Sequence, residues 1–348
     1  MACRLALDAS SSFAREAKLM EELGLGSVSR EKLRQVVEAE GQTVREAQQQ
    51  QAFALPWAAP GRPGGPGQAE GPPPDSPLCM GVDGVLTRQV TDQEKRKRRQ
   101  KVAGKRSARA RAGKKLSPLS PRRKGADGPW KEVKIVGAYT ADHARRHWRS
   151  TTLGHLMAAV LITQVARRVG LGLTSGLVAV VDGAEWIEAR LRESLPQLLA
   201  VILDFYHLSE HVHAATKEAF GEGTTQARAW ADRLLHALRY EGFAVFDALL
   251  VQSLAEVATP AAHAALTRLR QYVSSRQAMV NYPYYEAQGW PIGSGPTESM
   301  AGVLTTRVRG RGRRWDADRI DAVMALQALE VGEEWEPYWQ SQFRRAAA

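Results

Sequence analysis

The chain has 348 residues, 44% of them hydrophobic, a composition that buries a large core, and two or three folding units are expected. Its net charge of +11 is concentrated: 15 Lys and Arg and one acid lie between Glu94 and Lys124, while the other 33 Lys and Arg face 36 acids. The longest apolar stretch, Leu153 to Ile162, is too short and broken to span a bilayer; no apolar run follows Arg4 to make a secretory signal; and two cysteines, Cys3 and Cys79, exclude a disulfide framework or a four-cysteine zinc site and fit a reducing cytoplasm.

Residues 1–50 are expected to be helical. Phe13, Ala17, Met20 and Leu23 recur at helical spacing, Gly24-Leu25-Gly26 breaks the pattern, and a second helix starts from Ser29 as N-cap, carries Leu33, Val36 and Val37, and stops at Gly41. This is the outline of a helix-turn-helix, and equally that of any helical hairpin. The Pro- and Gly-rich stretch over 51–77 reads as a linker.

The main domain begins at Leu78. CMGVDGVLTRQV and WKEVKIVGAYT predict two strands of a hairpin, with the basic insert at its tip. That insert, 94–124, is poor in large apolar residues and is expected to be disordered, either an arm for a polyphosphate backbone or a solvated low-complexity segment. A third strand is expected within 143–151 and a helix over 152–168. GLVAVVDG and QLLAVILDFYH are apolar runs with the character of strands buried on both faces, and the helical spacing of AEWIEARLRESLP between them makes a right-handed crossover to a parallel neighbour. The first part of the core thus runs over 78–207. An all-helical insertion follows over 208–290, and the core closes over 291–348 with a helix opening at Gly295-Pro296 and another from about Asp318 to Val331. The fold class is α/β with a mixed sheet.

Asp83 and Asp182 each precede a glycine after an apolar run. On adjacent parallel strands their carboxylates project into one crevice at the strands' carboxyl ends. Two facing carboxylates repel unless a cation lies between them, and magnesium, a hard ion preferring oxygen, suits them. Glu298, in the first turn of a helix, is the candidate third acid. The competing readings are turn residues for the aspartates and a dipole-complementing acid for Glu298. Asp204 rivals Asp182 for the second position and is otherwise a support. His207 is placed beside the site as an accessory residue, with a two-histidine zinc site shared with His211 as the other reading. Arg307, Arg309, Arg311, Arg313 and Arg314, interleaved with Gly310 and Gly312, read as a loop approaching a phosphate backbone, or as a solvated basic turn. Trp315 either stacks on an unpaired base or is buried.

VDGAEWI, ILDFYHLSEH and WPIGSGPTES followed by RVRGRGRRW resemble the DDE transposases of the ISKra-four insertion-sequence family, relatives of mutator-type transposases, over roughly residues 78–340. The resemblance implies a ribonuclease H-like fold with an all-helical insertion before the glutamate, and a catalytic triad of Asp83, Asp182 and Glu298 holding Mg2+, with Mn2+ as a substitute. It further implies double-stranded DNA, both element ends and target, as partner, a homo-oligomer on that DNA, no membrane association, and a place in the bacterial cytoplasm at the nucleoid. A ribonuclease H-like nuclease without strand transfer and a catalytically dead DNA-binding protein are the alternatives.

Overall fold

The computed structural model describes residues 2–7, 12–50, 78–116, 128–140, 146–169, 176–310 and 312–347. The expected linker at 51–77 and the end of the basic insert lie outside them. No described helix is long and apolar enough to cross a membrane.

Three helices precede the sheet: α1 (Ala2–Leu5), α2 (Phe13–Glu22) and α3 (Arg30–Gln49). Ser12 and Ser29 cap α2 and α3, their hydroxyls accepting from the backbone N–H of Arg15 and Lys32. The expected stop at Gly41 is corrected, because α3 continues for eight residues past it to Gln49. Gly41 is where α3 meets a later helix: a Cβ there would overlap the carbonyl oxygen of Ala322 and lie 2.7 Å from its carbon. The glycine permits close helix packing and ends nothing. Leu33, Val37 and Val44 bury the same face of α3.

The sheet has five strands, β1 (Leu78–Arg88), β2 (Trp130–Thr140), β3 (Arg146–Thr151), β4 (Leu177–Val181) and β5 (Ala200–Leu203), in the order β3-β2-β1-β4-β5. β1, β2 and β3 pair antiparallel, whereas β4 and β5 run parallel to β1. The sheet is therefore mixed, as expected. Leu177–Val181 is buried throughout, which is why it lacks the alternation of a half-exposed strand.

Between β1 and β2 stands α4 (Asp92–Arg111), which corrects the expectation of disorder for the part of the 94–124 insert that it covers, 94–111. The physical reason is a capping box at its start: the Thr91 hydroxyl accepts from the Glu94 backbone, and the Glu94 side chain accepts from the Thr91 backbone. No residue of α4 is buried.

After β3 come α5 (His155–Arg168), β4, α6 (Glu185–Ser194) and β5, the expected parallel crossover. The insertion is helical throughout: α7 (Phe205–Phe220), α8 (Thr225–His236), a π turn at Ala237–Glu241, α9 (Phe243–Glu256), α10 (Pro260–Ser274), a 3-10 turn at Gln277–Met279 and α11 (Tyr282–Ala287). The chain returns with α12 (Gly295–Arg309), α13 (Ala317–Val331) and α14 (Trp335–Ala347). α13 is the central helix, packed against α3, β3 and α12 and buried almost all round. Asp321 within it accepts from the backbone and hydroxyl of Thr152 and pairs with Arg45 at 3.1 Å. Burial pushes its carboxyl up to about 6. Glu334, fully buried, holds Arg149 in two hydrogen bonds of 2.7 and 3.1 Å and lies 3.8 Å from Arg168.

Candidate active site

The parallel ladder sets the site. Gly81 is level with Val180, and Val180 with Ile202. Two residues further along each strand stand Asp83, Asp182 and Asp204, so the register carries the three aspartates to one level, on one face of the sheet. Asp83 lies within β1, which continues to Arg88 opposite β2; Asp182 and Asp204 directly follow β4 and β5.

That face is the one α12 covers. A Cβ on Gly81 would overlap Thr297 Oγ1 and lie 2.9 Å from Cγ2 and 3.0 Å from Cβ of the same residue, so only glycine lets α12 sit this close to β1. Thr297 is buried and Glu298, next along the first turn, is exposed. Burial raises the Asp83 carboxyl above its usual range, and the charges of Asp182, Glu298 and Glu132 raise it further. Asp83 thus lies within electrostatic reach of Asp182 and Glu298, and also of Glu132, which sequence reasoning missed and which the alternation of β1 and β2 puts on the other face of the sheet. The Glu132 side chain crosses the space left open by Gly84 and pairs with the buried Lys134.

Each of the three acids uses one oxygen locally. Asp83 Oδ1 accepts from Gly84 N at 2.6 Å and Asp182 Oδ1 from Ala184 N at 2.9 Å, while Glu298 Oε1 lies 3.0 Å from Ser294 Oγ, whose one hydroxyl proton it shares with Asp204. The second oxygen of each takes no hydrogen bond from a described residue. Clustered carboxylates with free hard oxygens fit a divalent cation chemically. They do not form a ready-made cage, since among the described residues no group of three or more His, Cys, Asp or Glu is arranged to hold a metal ion.

Asp204 is occupied differently. It is 1% exposed, and its Oδ1 accepts from the backbone of Tyr206 (2.6 Å) and His207 (2.9 Å), capping α7. Its Oδ2 accepts from the Ser294 backbone at 2.5 Å and from the Ser294 hydroxyl. Four donors leave this carboxylate no lone pair to spend on an ion. Asp204 instead ties the end of β5 to the residue before α12, and so supports Glu298. No family model matches this chain, and no curated protein matches it.

The helical insertion braces the Asp182 turn. Arg276 donates to the Gly183 carbonyl from Nε and Nη2 at 3.3 and 3.0 Å, and its guanidinium lies 4.2 Å from the Tyr272 ring centre. Tyr282 donates to the Leu203 carbonyl at 2.9 Å. Neither Arg276 nor Tyr282 has a local sequence signal, because each acts on a strand end far away in the chain. His207 is part-exposed, with Nδ1 3.7 Å from Glu210 and its ring 5.1 Å from that of His211. His211 stacks on Tyr272 at 4.2 Å, and burial lowers its pKa; the pair is held by packing, and among the described residues no further ligand for zinc joins it.

The arginine loop requires correction. Arg307 and Arg309 belong to α12, and Arg307 is 2% exposed, paired at 3.0 Å with the buried Glu16 and 4.7 Å from the Phe13 ring centre. It joins the N-terminal helices to the core and cannot face DNA. Arg313 donates to the Arg307 carbonyl at 2.9 Å, closing the end of α12, and Arg314 pairs with Glu94. Arg309 is exposed, and Arg311 lies outside the described residues. Trp315 is half-buried in an edge-on contact with Phe13 and bridges to Gln89, so it packs.

Proposed function

We propose that the protein is a DDE-type DNA transposase of the ISKra-four kind, with a ribonuclease H-like catalytic core. The observation that carries this reading is the placement of Asp83 and Asp182 at one level of parallel strands, with Glu298 delivered to the same face by α12. The helical insertion between β5 and α12, which the family resemblance implies, supports it. Asp83, Asp182 and Glu298 would hold Mg2+, with Mn2+ as a substitute. The bound ion supplies Lewis-acid activation of the attacking hydroxyl and stabilisation of the leaving oxygen in phosphodiester hydrolysis and transesterification. Asp204 and Arg276 position the acids, the first through Ser294 and the second through Gly183. Double-stranded DNA, element end and target, is the proposed substrate, acted on by a homo-oligomer.

Strand transfer separates this reading from a nuclease. An oligonucleotide ending in the 3′ terminus of the DNA that flanks the gene, incubated with the protein, Mg2+ and a target plasmid, should be joined covalently to the plasmid. Cleavage without joining would assign a nuclease, and binding without either a catalytically dead DNA-binding protein.

A further inference from the structure

The helix α4 takes no part in the candidate site. It has 20 residues, about 30 Å at 1.5 Å per residue, and buries no side chain. Its base is fixed to the body by Lys95, which pairs with Asp316 at 2.7 Å, and by Glu94, which pairs with Arg314. At about 100° per residue, Lys95, Arg99 and Arg106 share one narrow stripe, the side of the Asp316 contact. Arg96, Lys97, Arg98, Lys101, Lys105, Arg109 and Arg111 are exposed and cover roughly 220° of the remaining circumference.

A helix with no apolar face neither inserts into a lipid surface nor fills a hydrophobic groove. A helix lying on one strand of phosphates engages less than half its circumference, so seven cations over this arc require anions on two sides. The major groove of B-form DNA, about 12 Å wide, admits a helix and carries phosphates on both walls. The deep, narrow major groove of duplex RNA does not admit one. Lys97, Lys101, Lys105 and Arg109 follow one another at i,i+4, a repulsive series that phosphates relieve. We infer that α4 enters the major groove of duplex DNA as a helix and holds both walls through these seven cations. This rests on the reading of the protein as DNA-binding, and not on its catalysis.

The test uses the full chain and a duplex probed with dimethyl sulfate, which reads guanine N7 in the major groove. Guanines over about one helical turn should be protected. Ala103→Pro removes no charge but breaks the helix, and should abolish the protection and weaken binding at least tenfold. The triple variant Lys97→Gln, Lys101→Gln, Lys105→Gln should reduce the slope of log affinity against log salt by roughly 3, at about 0.9 per phosphate contact. Both variants should melt as the parent does, since α4 buries nothing. No N7 protection in the parent, or parental affinity in the Ala103→Pro protein, would overturn the proposal in favour of a flexible polycation. Equal retention on phosphatidylserine vesicles would assign α4 to a membrane instead. Protection of N7 without any strand transfer would count against the transposase reading and leave the groove contact standing.

Discussion

Gly81→Ala tests how the fold delivers Glu298. The new Cβ would overlap Thr297 Oγ1 and stand 2.9 and 3.0 Å from Cγ2 and Cβ, whereas carbon atoms settle at about 3.5 Å, so α12 must recede by roughly 0.5–1 Å. Thr297 is buried and β-branched, and rotation of its side chain exchanges one clash for another. Overpacking of this kind costs about 1–3 kcal/mol, and a displacement near 1 Å at a reacting centre costs about 100-fold in rate. Gly81→Ala should therefore unfold at lower urea and cut DNA about 10- to 100-fold more slowly, with DNA affinity unchanged because the helix moved does not include α4. Thr297→Ala in the same chain removes Oγ1 and Cγ2 and should restore most of both losses. Parental cleavage by Gly81→Ala, or no rescue by Thr297→Ala, would refute the positioning of Glu298 through this contact.

Asp204→Asn replaces an acceptor of four donors with an amide that must point N–H at some of them, and should cost about 3 kcal/mol or more in urea unfolding, whereas Asp182→Asn should unfold as the parent does. Glu334→Gln strips the counter-charge from Arg149 and should destabilise by about 3–5 kcal/mol, measured in the same way. Asp321 has its carboxyl raised to about 6, so the folded state holds this proton more tightly than the unfolded one. Its contribution is therefore fully present below the unfolded carboxyl range and lost as pH rises through about 6, amounting to roughly 3 kcal/mol between those limits. Asp321→Asn should flatten that stretch of the stability profile; an unchanged slope would place the titration elsewhere.

The strands of the parallel half were legible because Leu177–Val181 and Ala200–Leu203 are short apolar runs that end in Asp, and the crossover between them has no alternative topology. The Ser29 cap was legible for the same reason: its hydrogen bond is made within three residues. Gly41 misled because a helix-ending glycine and a helix-packing glycine look alike until Ala322 arrives from the far end of the chain. Arg307 misled in the same way, its partner Glu16 lying in the N-terminal helices. The start of α4 was different, since Thr91 and Glu94 spell a capping box that the weight of the following charge obscured. For the site, Asp83, Asp182 and Glu298 could be named from motif and order, but the division of labour between Asp182 and Asp204 depends on where Ser294 sits, which no local pattern encodes.

The most direct test of the central claim is Mg2+-dependent cleavage of end-labelled DNA carrying the sequences that flank the gene, measured side by side for the parent, Asp83→Asn, Asp182→Asn, Glu298→Gln and Asp204→Asn, with DNA binding recorded on the same samples. The parent should cut only with the divalent ion, and the first three variants should bind DNA yet leave it intact. Cleavage that persists in chelator, or an Asp182→Asn protein that cuts like the parent, would contradict the assignment of Asp83, Asp182 and Glu298 as the catalytic acids.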